Sequence, residues 1–157
     1  MNKGYKLYAA HGFFMNPARM ADKCPTAILA GSGELKGYRL LFRGEHAEAV
    51  AVIEPGKDAN VPVVVWEITP SDEAALDICE SFPSLCSKEQ VKVKLDGKTV
   101  NAMVYIMKEG IPPGRPGAYH YDNILEGYEA AELGTDILRK ALLTSIEMED
   151  AIAAEPS

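Results

Sequence analysis

Two short segments carry the residue types that could do chemistry. The first is Leu76-Asp77-Ile78-Cys79-Glu80-Ser81-Phe82-Pro83. Pro83 stops the helix that leads into it, so Glu80 sits near a helix C-terminus. The helix dipole there disfavours a negative charge, and the apolar neighbours Leu76, Cys79 and Phe82 disfavour it again. Both effects raise the carboxyl pKa toward neutrality, where one group can take up and return a proton. The alternative is an ordinary surface glutamate. The second segment is Ala10-His11-Gly12-Phe13-Phe14-Met15-Asn16-Pro17, a strand-to-helix loop with a glycine at its bend. Such a loop can aim backbone N–H groups at an anion. The alternative is a turn that sends Phe13 and Phe14 into the core.

The elements that must position these segments are legible as short units. Residues 6–10 read as a first strand. Asn16-Pro17 is a helix start, with Asn as cap and Pro at the first helical position. That helix spans residues 17–23 and ends at Cys24-Pro25. Residues 27–30 and 37–42 read as two further strands, with Ser32 of Gly31-Ser32-Gly33 in a turn between them. Residues 49–53 form another, ended by Glu54-Pro55-Gly56. The apolar run 61–68 is the strongest strand, buried on both faces, with Pro62 at its start or on an edge. Thr69 or Ser71 caps the next helix, and Asp72 and Glu73 suit its positive end. Ala74, Ala75, Ile78 and Cys79 share one face of it. Val91, Val93 and Leu95 alternate with polar residues, and Asp96-Gly97 turns the chain into a strand over 99–107. Residues 110–117 are a Pro/Gly loop. Residues 121–128 and 135–152 read as helices, with an acidic tail that frays from about 147. The order predicts an α+β fold, a small mixed, mainly antiparallel β-barrel with flanking helices.

Bulk features exclude several function classes. The 157 residues suit one domain, residues 1–157. Lys and Arg total 16 against 23 Asp and Glu, a net charge of −7. That balance argues against nucleic acid and against an anionic membrane. No apolar run approaches the roughly 20 residues that cross a bilayer. Residues 1–8 include Lys3 and Lys6 but lack an apolar core, so no signal peptide is expected. Cys24, Cys79 and Cys86 lack Cys-x-x-C spacing, which fits a reducing cytoplasm. His11, His46 and His120 share no ligand spacing, so no metal site is expected. Gly31 and Gly33 lack a phosphate-loop context, and no Gly-x-Ser-x-Gly elbow occurs.

Five segments in order carry a family resemblance. They are Tyr8-Ala9-Ala10-His11-Gly12-Phe13-Phe14-Met15, Gly37-Tyr38-Arg39-Leu40-Leu41-Phe42, Val64-Val65-Trp66-Glu67-Ile68, the Glu80 segment, and Ile124-Leu125-Glu126-Gly127-Tyr128. Together, over residues 6–143, they resemble the γ-glutamylcyclotransferase-like superfamily, also described as avirulence-induced-gene-like proteins. The resemblance implies a small barrel enzyme that releases 5-oxoproline from γ-glutamyl amines or amino acids without a cofactor. It makes Glu80 the acid/base. It makes the loop from Ala10 through His11, Gly12, Phe13 and Phe14 the binder of the γ-glutamyl end, largely through main-chain N–H groups. Tyr121 is expected to line the same pocket, and Tyr128 to line it or pack. The family's Tyr-Gly-Ser-Asn is His11-Gly12-Phe13-Phe14 here. Its Gly after the glutamate is Ser81, and its Tyr six residues past the glutamate is Cys86. Cys86 has no neighbouring His or Cys-x-x-C partner and is not read as a nucleophile. His11 either supplies a donor in place of the family Tyr or caps the strand. Losing the Ser and Asn side chains removes hydrogen bonds of ~1–3 kcal/mol each when charge-assisted. Either the substrate differs, the main chain suffices, or activity is gone. The alternatives to an enzyme are a catalytically lapsed small-molecule binder and an interaction scaffold, used as a homodimer.

Overall fold

In the computed structural model, residues 4–156 are described. Met1 to Lys3, part of the segment read for a signal peptide, and Ser157 at the end of the acidic tail lie outside them. The elements in order are β1 (Lys6–Ala10), a 3-10 turn (Phe13–Met15), α1 (Pro17–Lys23), β2 (Ile28–Arg43), β3 (Val50–Ile68), α2 (Pro70–Cys79), β4 (Cys86–Leu95), β5 (Lys98–Met107), α3 (Ala118–Ala130) and α4 (Asp136–Ala153). The strands close into a barrel in the order β1-β3-β2-β4-β5. The β1–β5 seam is parallel and the other pairings are antiparallel, which makes the barrel mixed. Among the described residues no helix is long and apolar enough to cross a membrane.

Strand β3 is central because its residues can be buried on both faces. Val61, Val63, Val64 and Val65 are all buried. One edge of β3 pairs with β1, Ala10 lying opposite Val64, and the other pairs with β2 along its whole length. Four short strands expected from the sequence are therefore two long ones. Ser32 is not in a turn but lies in β2, opposite Val64. The glycines that read as breaks are bulges: the register shifts at Leu29/Gly31 and at Lys36/Tyr38, and Gly31 and Gly37 both have positive φ. Likewise Glu54-Pro55-Gly56 does not end a strand. Between the pairs Lys36–Asn60 and Tyr38–Pro55, β3 carries residues 56–59 opposite Gly37 alone. The turn-forming residues supply that irregularity and the strand continues through it.

Two helix expectations also change. The buried side of α2 is Asp72 and Leu76, while Ile78 is 82% exposed. Asp72 faces inward because it completes a capping box with Thr69 and accepts a hydrogen bond from Thr26. The acidic segment expected to fray from 147 is helical to Ala153. It is anchored because Glu149 bonds His46 and accepts from the Arg115 N–H. One turn earlier, Ser145 lies against β2 and accepts from the Phe42 N–H at 2.8 Å.

Barrel closure depends on one close approach. The β2–β4 seam pairs Gly33 with Leu95 and Glu34 with Lys94. A Cβ on Gly33 would collide with the Lys94 carbonyl, so a side chain there pushes the seam apart. Gly33→Ala is expected to lower stability by about 1–3 kcal/mol. Urea unfolding checks this, and an unchanged midpoint would count against the seam.

Candidate active site

The loop after β1 is held from both sides. On the barrel side, the Trp66 indole N–H donates to the Phe14 carbonyl at 3.0 Å. On the helical side, Asn16 is buried and caps α1 by accepting from the Ala18 and Arg19 N–H groups. Its amide nitrogen shares its two N–H groups among the Asn123 carbonyl, the Asn123 side-chain oxygen and Glu126, all within 3.2 Å. Gly127 lets α3 come this close, since a Cβ there would stand 2.8 Å from backbone atoms of Met15 and Asn16. Within the loop, the Met15 and Asn16 N–H groups close the 3-10 turn onto Gly12 and Phe13. The N–H groups of Gly12, Phe13 and Phe14 take no part in these turn bonds. A Cβ on Gly12 would lie 3.1 Å from that of Ala51, tighter than ordinary packing.

Helix α2 delivers Glu80 through its C-terminal turn. The Ser81 N–H bonds the Ile78 carbonyl and the Phe82 N–H bonds the Asp77 carbonyl, with Ser81 left-handed at φ +52°. The Phe82–Pro83 bond that follows is cis. The turn is strapped to the β4–β5 hairpin. Tyr105 donates its hydroxyl to Asp77 at 2.6 Å. Lys88 bridges Asp77 and Glu73, and Lys6 pairs with Glu73 in turn. The Lys88 ammonium also lies 4.2 Å from the Phe82 ring centroid.

These two structures face a common cavity of about 590 Å³. His11, Gly12, Phe13, Phe14 and Glu80 line it together, with Cys86 beside Glu80. Ala10 does not. It is fully buried in β1, paired with Val64 of β3. Tyr121 does not line it either, and packs against the Phe42 ring at 6.0 Å. The reason is that α3 begins at Ala118, three residues before the expected 121, so Tyr119 and His120 reach the cavity instead. Tyr128 is core, fully buried, with a hydroxyl that has no partner among the described residues. Sequence reading also missed Tyr8, Tyr105 and Lys23, which line the cavity too. The usable signal for Tyr8 was its place on the same strand as the loop. Tyr105 comes from the β4–β5 register, where it lies opposite Lys88.

Electrostatics single out Glu80. Burial pushes its carboxyl up to about 7. Among the described residues none hydrogen-bonds or ion-pairs with it, so nothing offsets the desolvation. Burial pulls His11 and His120 down to about 4, so both rings are neutral at pH 7. The Ala51 N–H approaches His120 Nε2 at 3.3 Å, which places the His120 proton on Nδ1. The Tyr8 hydroxyl is raised by burial and then by the nearby Glu80 charge. Burial pushes the Cys86 thiol up to about 11, which leaves little thiolate at neutral pH.

The sequence matches the family described as "Gamma-glutamyl cyclotransferase, AIG2-like" over residues 4–130. A solved structure described as "Gamma-glutamyl cyclotransferase" is 23% identical with a TM-score of 0.77, covering 96% of this chain and 99% of that one. An uncharacterized protein from Homo sapiens is similar at 23% identity and a TM-score of 0.75, with the same coverage. A γ-glutamyl cyclotransferase from yeast, described as specific to glutathione, is 12% identical with a TM-score of 0.64, covering 92% of this chain and 96% of that one. These are likenesses of fold. No protein of curated function matches in sequence.

Two expected outcomes test the geometry. Asn16→Ala loses a helix cap and leaves Asn123 and Glu126 without their donor, for about 2–3 kcal/mol of destabilisation by chemical denaturation. Glu80 has a folded pKa above its unfolded one. Its neutral form is stable below about pH 4.5, and that stability is lost as pH rises through about 7. Glu80→Gln should therefore gain on wild type as pH rises, by the order of 1–3 kcal/mol at pH 8. Thermal unfolding across pH checks the trend, and parallel curves would refute a buried carboxyl.

Proposed function

The chain belongs to the gamma-glutamyl cyclotransferase, AIG2-like family, and on that premise we propose that it releases 5-oxoproline from a γ-glutamyl amine or γ-glutamyl amino acid. The observation that carries this is Glu80: a carboxyl with a pKa near 7 and no partner among the described residues, on the same cavity as the Gly12 loop.

The chemistry asks little else of the protein. Glu80 takes a proton from the substrate's α-ammonium, and the freed amine attacks the γ-carbonyl carbon of the same molecule. A C–N bond forms and closes the five-membered ring. The ring nitrogen gives up its surplus proton to solvent, the original C–N bond breaks, and the proton held by Glu80 goes to the departing nitrogen, which leaves as the neutral amine. Nucleophile and electrophile are tethered, so positioning supplies much of the rate. The N–H groups of Gly12, Phe13 and Phe14, which take no part in the turn bonds, are the donors offered to the α-carboxylate and to the developing oxyanion. A pKa near 7 suits both halves of the proton transfer at neutral pH. The three free cysteines, Cys24, Cys79 and Cys86, support placing this chemistry in a reducing cytoplasm.

A non-catalytic small-molecule binder is the second reading, favoured by the Phe13 ring that shares the cavity with the loop. Release of 5-oxoproline from a panel of γ-glutamyl amines separates the two. Wild type is expected to turn over at least one member, with kcat/KM rising through about pH 7 as Glu80 ionises. Glu80→Gln is expected to lose about 10²–10⁴-fold. Binding of the panel without release by wild type would establish the second reading.

A further inference from the structure

The cavity has two groups of walls with different chemistry. One gathers at the α2–β4 junction, where Tyr8 and Cys86 lie close enough to Glu80 to feel its charge. The other gathers at the start of β3 and α3. There Phe13 stacks on His120, with ring centroids 5.6 Å apart and planes 5° apart. The Phe13 ring also touches Phe14 edge-on at 5.5 Å and tilts toward Tyr119 at 6.0 Å. Val50 and Ala51 complete this wall. Among the described residues that line the cavity, Lys23 is the only Lys or Arg and Glu80 the only Asp or Glu. Lys23 belongs to the first group, since its ammonium is felt by Cys79. His120 is neutral. Arg19 lies nearby but does not line the cavity; its Nη1 bonds the Tyr119 hydroxyl and pairs with Asp22, while its buried Nε has no partner among the described residues.

With the γ-glutamyl amine at Glu80 and its carboxylate at the loop, the rest of the substrate extends toward α3. On the cyclotransferase reading, on which this rests, we propose that the leaving group is an uncharged aromatic amine, its ring held beside Phe13 and under Tyr119. Tyr119 is 65% exposed. An aromatic leaving group would cover it and add an offset or edge-on ring contact. A leaving amino acid would bring a carboxylate and an ammonium to a wall whose own lining residues are aromatic or apolar, where neither charge adds to the ring contacts. Tyr119 and Phe13 are thus specificity residues and take no part in the proton transfer.

The test measures 5-oxoproline release from γ-glutamyl-benzylamine, γ-glutamyl-butylamine, γ-glutamyl-lysine and γ-glutamyl-aspartate. Each is assayed with wild type, Tyr119→Ala and Tyr119→Phe. The expected result is kcat/KM for the benzylamide about tenfold or more above the two amino-acid substrates, carried mainly in KM. Tyr119→Ala should narrow that ratio to within about threefold. Tyr119→Phe should keep it, because the hydroxyl bonds Arg19 and not the ligand. Tyr119 is exposed, so both variants are expected to fold. Release that favours lysine or aspartate, or a ratio untouched by Tyr119→Ala, overturns the aromatic assignment and leaves the cyclotransferase reading standing. No release from any of the four by wild type overturns the cyclotransferase reading itself, and the assignment with it.

Discussion

The carboxamide of Asn16 is the contact on which the rest of the site depends. Its oxygen starts α1 and its nitrogen holds α3. Between those two jobs lies the loop that follows β1. Without this residue the turn over Phe13–Met15 would keep Trp66 on one side and lose its polar tie to α3 on the other. A polar group buried this deeply is costly unless every partner is met, and here both ends are. The result is a stretch of backbone fixed at both ends beside the cavity.

Glu80 shows the opposite arrangement. Asp77, one turn earlier on the same helix, is held by Tyr105 and Lys88. Those bonds anchor the helix end and consume the available donors. Glu80 is then presented to the cavity with none. Two carboxylates three residues apart thus have different roles, set by who reaches them. One is tied in place, and the other is left unpaired with its carboxyl raised by burial.

Local signals were legible where a local cause made them. Asn16-Pro17, Thr69 with Asp72, and Asp96-Gly97 each act within a few residues, and each lies where the sequence indicates. The long strands were not legible because glycine marks a bulge and a turn alike, and only the partner strand decides between them. The buried face of α2 was misread because its inward polar residue, Asp72, is satisfied by a cap and by Thr26, which periodicity of apolar residues does not register. At the site, Glu80 and the Gly12 loop stood out by local residue type, the family resemblance joined them, and both line the cavity. Tyr119 and His120 were missed in favour of Tyr121 because a three-residue change in where a helix begins rotates a different side chain into the cavity.

The β4–β5 hairpin is sewn into the barrel by short seams, Gly33–Leu95 and Glu34–Lys94 on one side and Tyr8–Met103 on the other. Its two strands, by contrast, pair along their full length. Such a unit opens as a body before its own ladder melts, as a cooperative unit of lower stability than the β2–β3 ribbon. Because Cys86, Tyr105 and Met107 form the cavity wall from this hairpin, amide exchange there reports on a door: the motion that exposes those amides to water also opens the cavity to solvent.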